Sequence, residues 1–228
     1  MAIVNKLSLI GLTLSASRGG LLALSLTMFI AEAVGGSDIA YVLAGMGVSA
    51  FFSGISILLS YIVVLKTPIA AFALIGSLIA VSRSWMPIIL SSIMILSVLY
   101  IVLAKPLNAI IIGDDYAAQL GYNPRLYRFV AVVSAGVASA MVVACCGTIG
   151  FLGLVAPHLA RLLIKSSDNR FVIPLSALLG STILLIADNI SRIYLSTKMG
   201  EVPAGALVSI LGSIFFIIML VRRLRRGI

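Results

Sequence analysis

AKPLNAIIIGDDYAAQLGYNPRLY, residues 104–127, is the longest polar interruption in an otherwise apolar sequence, and its reading governs the rest. Asp114 or Asp115 can serve as a helix N-cap, and Tyr116 and Leu120 fall four apart on one face. Gly121 stands where a helix-ending C′ residue belongs, and Asn123-Pro124 stops any continuation. The pattern predicts a compact amphipathic helix held between two hydrophobic spans. Lys105, Arg125 and Arg128 flank it, which places it on the cytoplasmic side, because inner loops of membrane proteins are enriched in Lys and Arg. It reads either as a docking surface for a soluble partner or as an ordinary ordered loop.

Working outward, the chain has 228 residues, of which 61% are hydrophobic and 10% charged, with a mean hydropathy of +1.22. A soluble domain is about half apolar and about a quarter charged, so the fold class is all-α, a polytopic helical membrane protein. The net charge of +9 sits in short loops between apolar runs, where it reads as a topology signal and not as a nucleic-acid surface. Cys145 and Cys146 are adjacent inside an apolar run, a pattern of small packing residues and not of a disulfide or a metal site.

Residues 1–18 contain only a short apolar patch interrupted by Lys6, and read as a weak N-terminal remnant or interfacial segment ahead of a transmembrane domain over 19–228. Spans are expected at Gly19–Val34, Ile39–Leu65, Trp85–Ala104, Phe129–Cys146, Gly147–Leu163, Val172–Leu195 and Val202–Val221, about seven in all. Ile69–Val81 is too short to cross comfortably and fits a tilted, re-entrant or interfacial helix as well as a crossing. In the second span Gly45, Ser49 and Ser53 recur every four residues beside Ala50 and Gly54, a close-packing face. Gly147, Gly150 and Gly153 recur every three residues and would keep one helix face bare, with Pro157 breaking the helix before His158 and Arg161. His158, one turn from a cationic cluster, is read as an interfacial side chain with a local hydrogen bond.

The closing cluster Arg222, Arg223, Arg225 and Arg226 puts the C-terminus in the cytoplasm. Alternating topology then places ten of the sixteen Lys and Arg inside, adding Lys105, Arg125, Arg128, Arg161, Lys165 and Arg170 to those four. Arg83, Arg192, Lys198 and Glu201 fall outside. Asp188 precedes Arg192 by four residues, so Arg192 reads either as neutralised by that carboxylate or as an anchor for an acidic external partner. No glycine loop for nucleotide phosphates, no metal-spaced His/Cys cluster and no nucleophile beside a base is present, so the chain reads as no enzyme and needs no cofactor. The acidic residues lie near span ends or in loops, which favours an energy source outside the chain.

The runs GDDYAAQLG (113–121), GTIGFLGLVAPHLARLL (147–163), IPLSALLGSTILLIADNISR (173–192) and EVPAGALVSILGSIFFIIMLVRR (201–223) resemble the FecCD-type permeases of ABC importers. YVLAGMGVSAFFSG (41–54) resembles the pathway-lining fifth helix of that family. The resemblance implies a type II importer permease that translocates an iron–siderophore or related metal chelate across the cytoplasmic membrane. It further implies a homodimer in the membrane lipid over two ABC ATPase subunits, which hydrolyse the ATP, with an extracytoplasmic substrate-binding protein outside. By similarity, residues 105–127 become the cytoplasmic coupling segment, with Gly113, Asp114, Ala117, Leu120 and Gly121 at the motif positions. Arg192 falls at the docking arginine for the binding protein, and Gly45, Ser49, Ser53, Pro203 and Gly205 fall on the pathway-lining helices. Family members have about ten spans, so the resemblance implies that the first three, of roughly 20 residues each, are missing here. The alternatives are a cobalamin or haem importer permease, a gradient-driven secondary carrier, and a truncated, non-transporting membrane subunit.

Overall fold

The computed structural model describes residues 2–34, 38–66, 76, 78, 81, 83–195 and 202–226. Among these residues the architecture is helical: α1 (Ala2–Ala33), α2 (Asp38–Lys66), α3 (Met86–Ile112), α4 (Asp114–Gln119), α5 (Pro124–Cys146), α6 (Leu152–Ile164), α7 (Asn169–Ile190) and α8 (Ala204–Arg226). A 3-10 turn, Arg83–Trp85, leads into α3, and α7 ends in a π-helical turn, Ser191–Leu195. Among the described residues, four helical stretches are long and apolar enough to cross a membrane: Ala40–Ile62, Arg83–Ile112, Pro124–Cys146 and Asn169–Ile193. Their apolar side chains stay uncovered, Met94 at 70% and Ile101 at 74% exposure for example, as expected of surfaces that face lipid hydrocarbon.

The chain divides into two compact units, and α3 and α5 each contribute to both. In the first, Met1–Leu74, Ser82–Leu96 and Phe129–Cys145, α1 packs on α2. Ala31, Ala44 and Val48 are buried there, and the Tyr41 hydroxyl donates to Glu32 Oε1 at 2.5 Å. α1 also lies against α5, where a Cβ at Gly20 would stand 3.1 Å from Ala140 Cβ. In the second unit, Ile75–Val81, Ser97–Arg128 and Cys146–Ile228, α6 and α7 form an antiparallel hairpin over Val155, Ala156, Ala160, Val172 and Gly180. Cys145 and Cys146 are buried thiols, and the Cys145 Sγ donates to Met141 O at 3.1 Å.

α1 runs unbroken through residue 18, since one lysine does not interrupt a helical backbone, and Gly20 permits close approach to α5. Several expectations are corrected. α3 does not end near Ala104 but continues eight residues past it, through Pro106, to Ile112. Pro106 removes one backbone hydrogen bond, and the packing of Ala109 and Ile110 on Ala117 holds the last turns in place. The expected span Gly147–Leu163 is a 13-residue helix, α6, roughly 20 Å long and shorter than a bilayer core. Gly147 has φ 72 and carries a turn, so Gly147 and Gly150 precede the helix and share no helix face with Gly153. Pro157 lies inside α6 without ending it. On α2 the packed face is Ala44 and Val48, while Ser49, Ser53, Ala50 and Gly54 are exposed. Most of Ile69–Val81, together with Lys198 and Glu201, lies outside the described residues.

Candidate functional site

α4 is only six residues long, and the residues around it explain why so short a helix holds its shape. Gly113 occupies the N-cap position in extended backbone and offers no side-chain cap. The predicted caps act otherwise. Asp114 and Asp115 fall in the first turn, where negative charge complements the positive helix end, and Asp114 Oδ2 receives the Arg128 guanidinium at 2.8 Å. At the other end Gly121 takes φ 82, a left-handed conformation that suits glycine. Its N–H donates to Ala118 O at 2.9 Å, and the Tyr122 N–H donates to Ala117 O at 3.0 Å, which is the Schellman arrangement. Asn123 then begins α5, its Oδ1 accepting from Leu126 N–H at 3.3 Å ahead of Pro124 in the first helical position.

Ala117 is completely buried against Ala109 and Ile110, with Leu107, Tyr122 and Tyr127 packed around them. The two tyrosine rings meet edge to face at 5.5 Å. Because Ala117 points inward, Tyr116 and Leu120 point away, 44% and 53% exposed. Gly113, Asp114, Ala117, Leu120 and Gly121 therefore form one rigid knob with an apolar tip and an acidic first turn.

Beside the knob lies a cluster that local sequence patterns do not reveal. The Asn108 amide in α3 donates to Asp168 Oδ1 at 2.6 Å, and Asn108 Oδ1 accepts from Asn169 N–H at 2.8 Å. Asp168 caps α7 by accepting from Arg170 N–H at 2.9 Å and pairs with the Arg170 guanidinium at 2.7 Å. The Tyr100 hydroxyl donates to Arg170 O at 2.7 Å. The guanidinium and N–H of Arg170, helped by the Asn108 amide, hold the Asp168 carboxyl well below the usual carboxylate range. A lone asparagine in the apolar run LNAIII was the available signal.

Arg192 stands at the far end of α7, in the π turn, with its guanidinium half exposed. Its Nε donates to Asp188 Oδ2 at 2.7 Å, so the predicted pair forms, while Asp188 Oδ1 is buried and accepts no hydrogen bond from the described residues. The Ser191 hydroxyl donates to Val202 O and ties the turn to the start of α8. From Asp168 to Arg192 the helical rise is about 36 Å, more than the ~30 Å hydrocarbon core, so the knob end and Arg192 lie a membrane thickness apart. Gly205 is buried, its N–H donating to Gly76 O at 2.9 Å, and Pro203 is half-buried just before α8. Gly45, half-buried, lies 3.7 Å by its virtual Cβ from Thr27. His158 makes an edge contact with Phe215 at 6.4 Å, and among the described residues it has no hydrogen bond of the expected kind.

The sequence profile of the FecCD transport family matches residues 1–222. The iron(3+)-hydroxamate import system permease protein FhuG of Bacillus subtilis is 33% identical over 216 residues, covering 92% of this chain and 62% of that protein. The vitamin B12 import system permease protein BtuC of Vibrio cholerae is 39% identical over 150 residues, 65% of this chain and 44% of that one. A solved transporter described as of metal-chelate ABC type, in an inward-facing conformation, superposes with a TM-score of 0.74 at 26% identity over 94% of this chain and 75% of its own. The chain thus spans about three fifths or less of the length of these two curated relatives.

Proposed function

The chain belongs to the FecCD transport family, and on that premise we propose that it is the permease subunit of an ATP-driven ABC importer for an iron–siderophore or related metal chelate. The observation that carries this reading is the α4 knob. Its backbone is locked by the Gly121 cap and the Ala117 socket, so the exposed Tyr116 and Leu120 form a pre-ordered surface on which a soluble subunit can push. The chain has no phosphate-binding glycine loop, so the ATP is hydrolysed on a partner, seated at α4 on the cytoplasmic side. Arg192, half exposed at the other end of α7, receives an acidic group of the extracytoplasmic binding protein. Gly45 and the exposed Ser49 and Ser53 of α2, with Pro203 before α8, line the path between two copies of the chain. A cobalamin or haem cargo is the second reading, supported by the identity to the vitamin B12 permease.

The test is co-purification of the chain with candidate ABC ATPase subunits, followed by ATP hydrolysis in lipid with loaded binding proteins. Leu120→Asp is expected to abolish the complex, and Arg192→Glu to keep the complex but lose stimulation by the loaded binding protein. A chain that never associates with an ATPase defeats the importer reading.

A further inference from the structure

The groove between α6 and α8 plays no part in the coupling or docking described above. Gly150 faces Ser209 Oγ, with a virtual Cβ 2.9 Å away, Gly212 faces Phe151 and Val155, and the His158 ring meets Phe215. Residue numbers rise together on the two sides, so α6 and α8 run parallel. Both helices therefore bring their cationic ends to one side, Arg161 and Lys165 on α6 and, by sequence, Arg222 and Arg223 on α8.

At that end a cavity of about 210 Å³ opens, lined among others by Leu154, Pro157, His158, Arg161, Phe216 and Met219. Arg161 is exposed, and neither its side chain nor that of His158 has a hydrogen bond or ion pair with any described residue. The surrounding surface is apolar and open, Leu154 at 59% and Ile217 at 59% exposure. A guanidinium at the edge of hydrocarbon requires an acceptor, because the membrane interior supplies no water to satisfy it. Phosphate suits its planar fork, and the apolar wall suits an acyl chain.

We propose that this groove holds one anionic phospholipid, its phosphate on Arg161 and His158 and an acyl chain along Leu154, Phe216 and Met219. The amphipathic lining selects a lipid over a free anion, since a soluble phosphate would leave the apolar wall uncovered. The proposal goes beyond the importer reading and needs only that the chain is embedded in a membrane.

Native mass spectrometry of the detergent-solubilised chain, offered phosphatidylglycerol against phosphatidylcholine, tests it. One retained phosphatidylglycerol with about fivefold preference is expected, the effect of one cation beside an anionic lipid. Arg161→Gln should erase the preference, Arg161→Lys should keep it, and Arg125→Gln, at an exposed cation in the α4–α5 region, should leave it intact. Equal retention of the two lipids, an unchanged preference in Arg161→Gln, or displacement by millimolar inorganic phosphate would each overturn it. An interchain cross-link through Leu154→Cys, with Cys145 and Cys146 changed to Ala, would put a second copy of the chain over the groove and overturn it as well. No ATPase is involved, so failure here leaves the importer reading standing.

Discussion

At Asp168 one carboxylate caps α7, grips Arg170 and receives an amide proton from Asn108. All three interactions favour the charged form, so the proton binds more weakly than in the unfolded chain, where aspartate titrates near ~4. A depressed folded-state pKa contributes stability that is complete above the unfolded value and fades as pH falls through it toward the folded one. Thermal unfolding in detergent should therefore show a melting temperature that drops on acidification below about pH 4. Asp168→Asn should melt lower at neutral pH and respond less to acid, and an equal acid response in both proteins would show that Asp168 is not the group responsible. Single residues differed in how visible they were from sequence. Gly121 was legible because a C′ glycine is a local signal, its N–H partner Ala118 O being three residues back. Asn108 was not, because its partners lie 60 and 61 residues away and only tertiary packing brings them together.

Helix boundaries failed where proline and glycine were read by their local preferences alone. Pro106 and Pro157 both lie inside helices, each removing one backbone hydrogen bond that neighbouring packing outweighs. The glycines of the α5–α6 connection looked like a helix face because their three-residue spacing has helical period. In the fold they serve a turn at Gly147 and a close approach to Ser209 at Gly150. Backbone also approaches backbone closely at Gly205, where a Cβ would stand 2.7 Å from Gly76 O. Backbone cannot yield as a flexible side chain can, so Gly205→Val should destabilise the protein by about 1–3 kcal/mol. Denaturant or thermal unfolding reads this directly, and an unchanged midpoint would show that α8 can withdraw from Gly76 without loss.

On the scale of the whole molecule, the chain is a multi-pass helical membrane protein in which Asp168, near the α4 knob, and Arg192 stand about 36 Å apart along α7. The orientation proposed from its basic residues makes a direct prediction. Leu120→Cys should react with an impermeant maleimide only from the cytoplasmic side, and Ile193→Cys only from outside; labelling of both from one side would reject the topology. Composition and the sequence of apolar runs by themselves determined the helical membrane class, because a bilayer demands long apolar helices whatever they pack against. The four motifs likewise determined the family, and the short helix at residues 114–119 was legible from its glycine and proline stops. Only tertiary structure decided which face of α2 is covered, that α3 runs on through Pro106 to carry Asn108, and that α6 and α8 run parallel. The physical reason is common to all three: hydropathy reports what a residue avoids, whereas these features depend on which distant backbone or side chain stands opposite, and a linear pattern does not encode that.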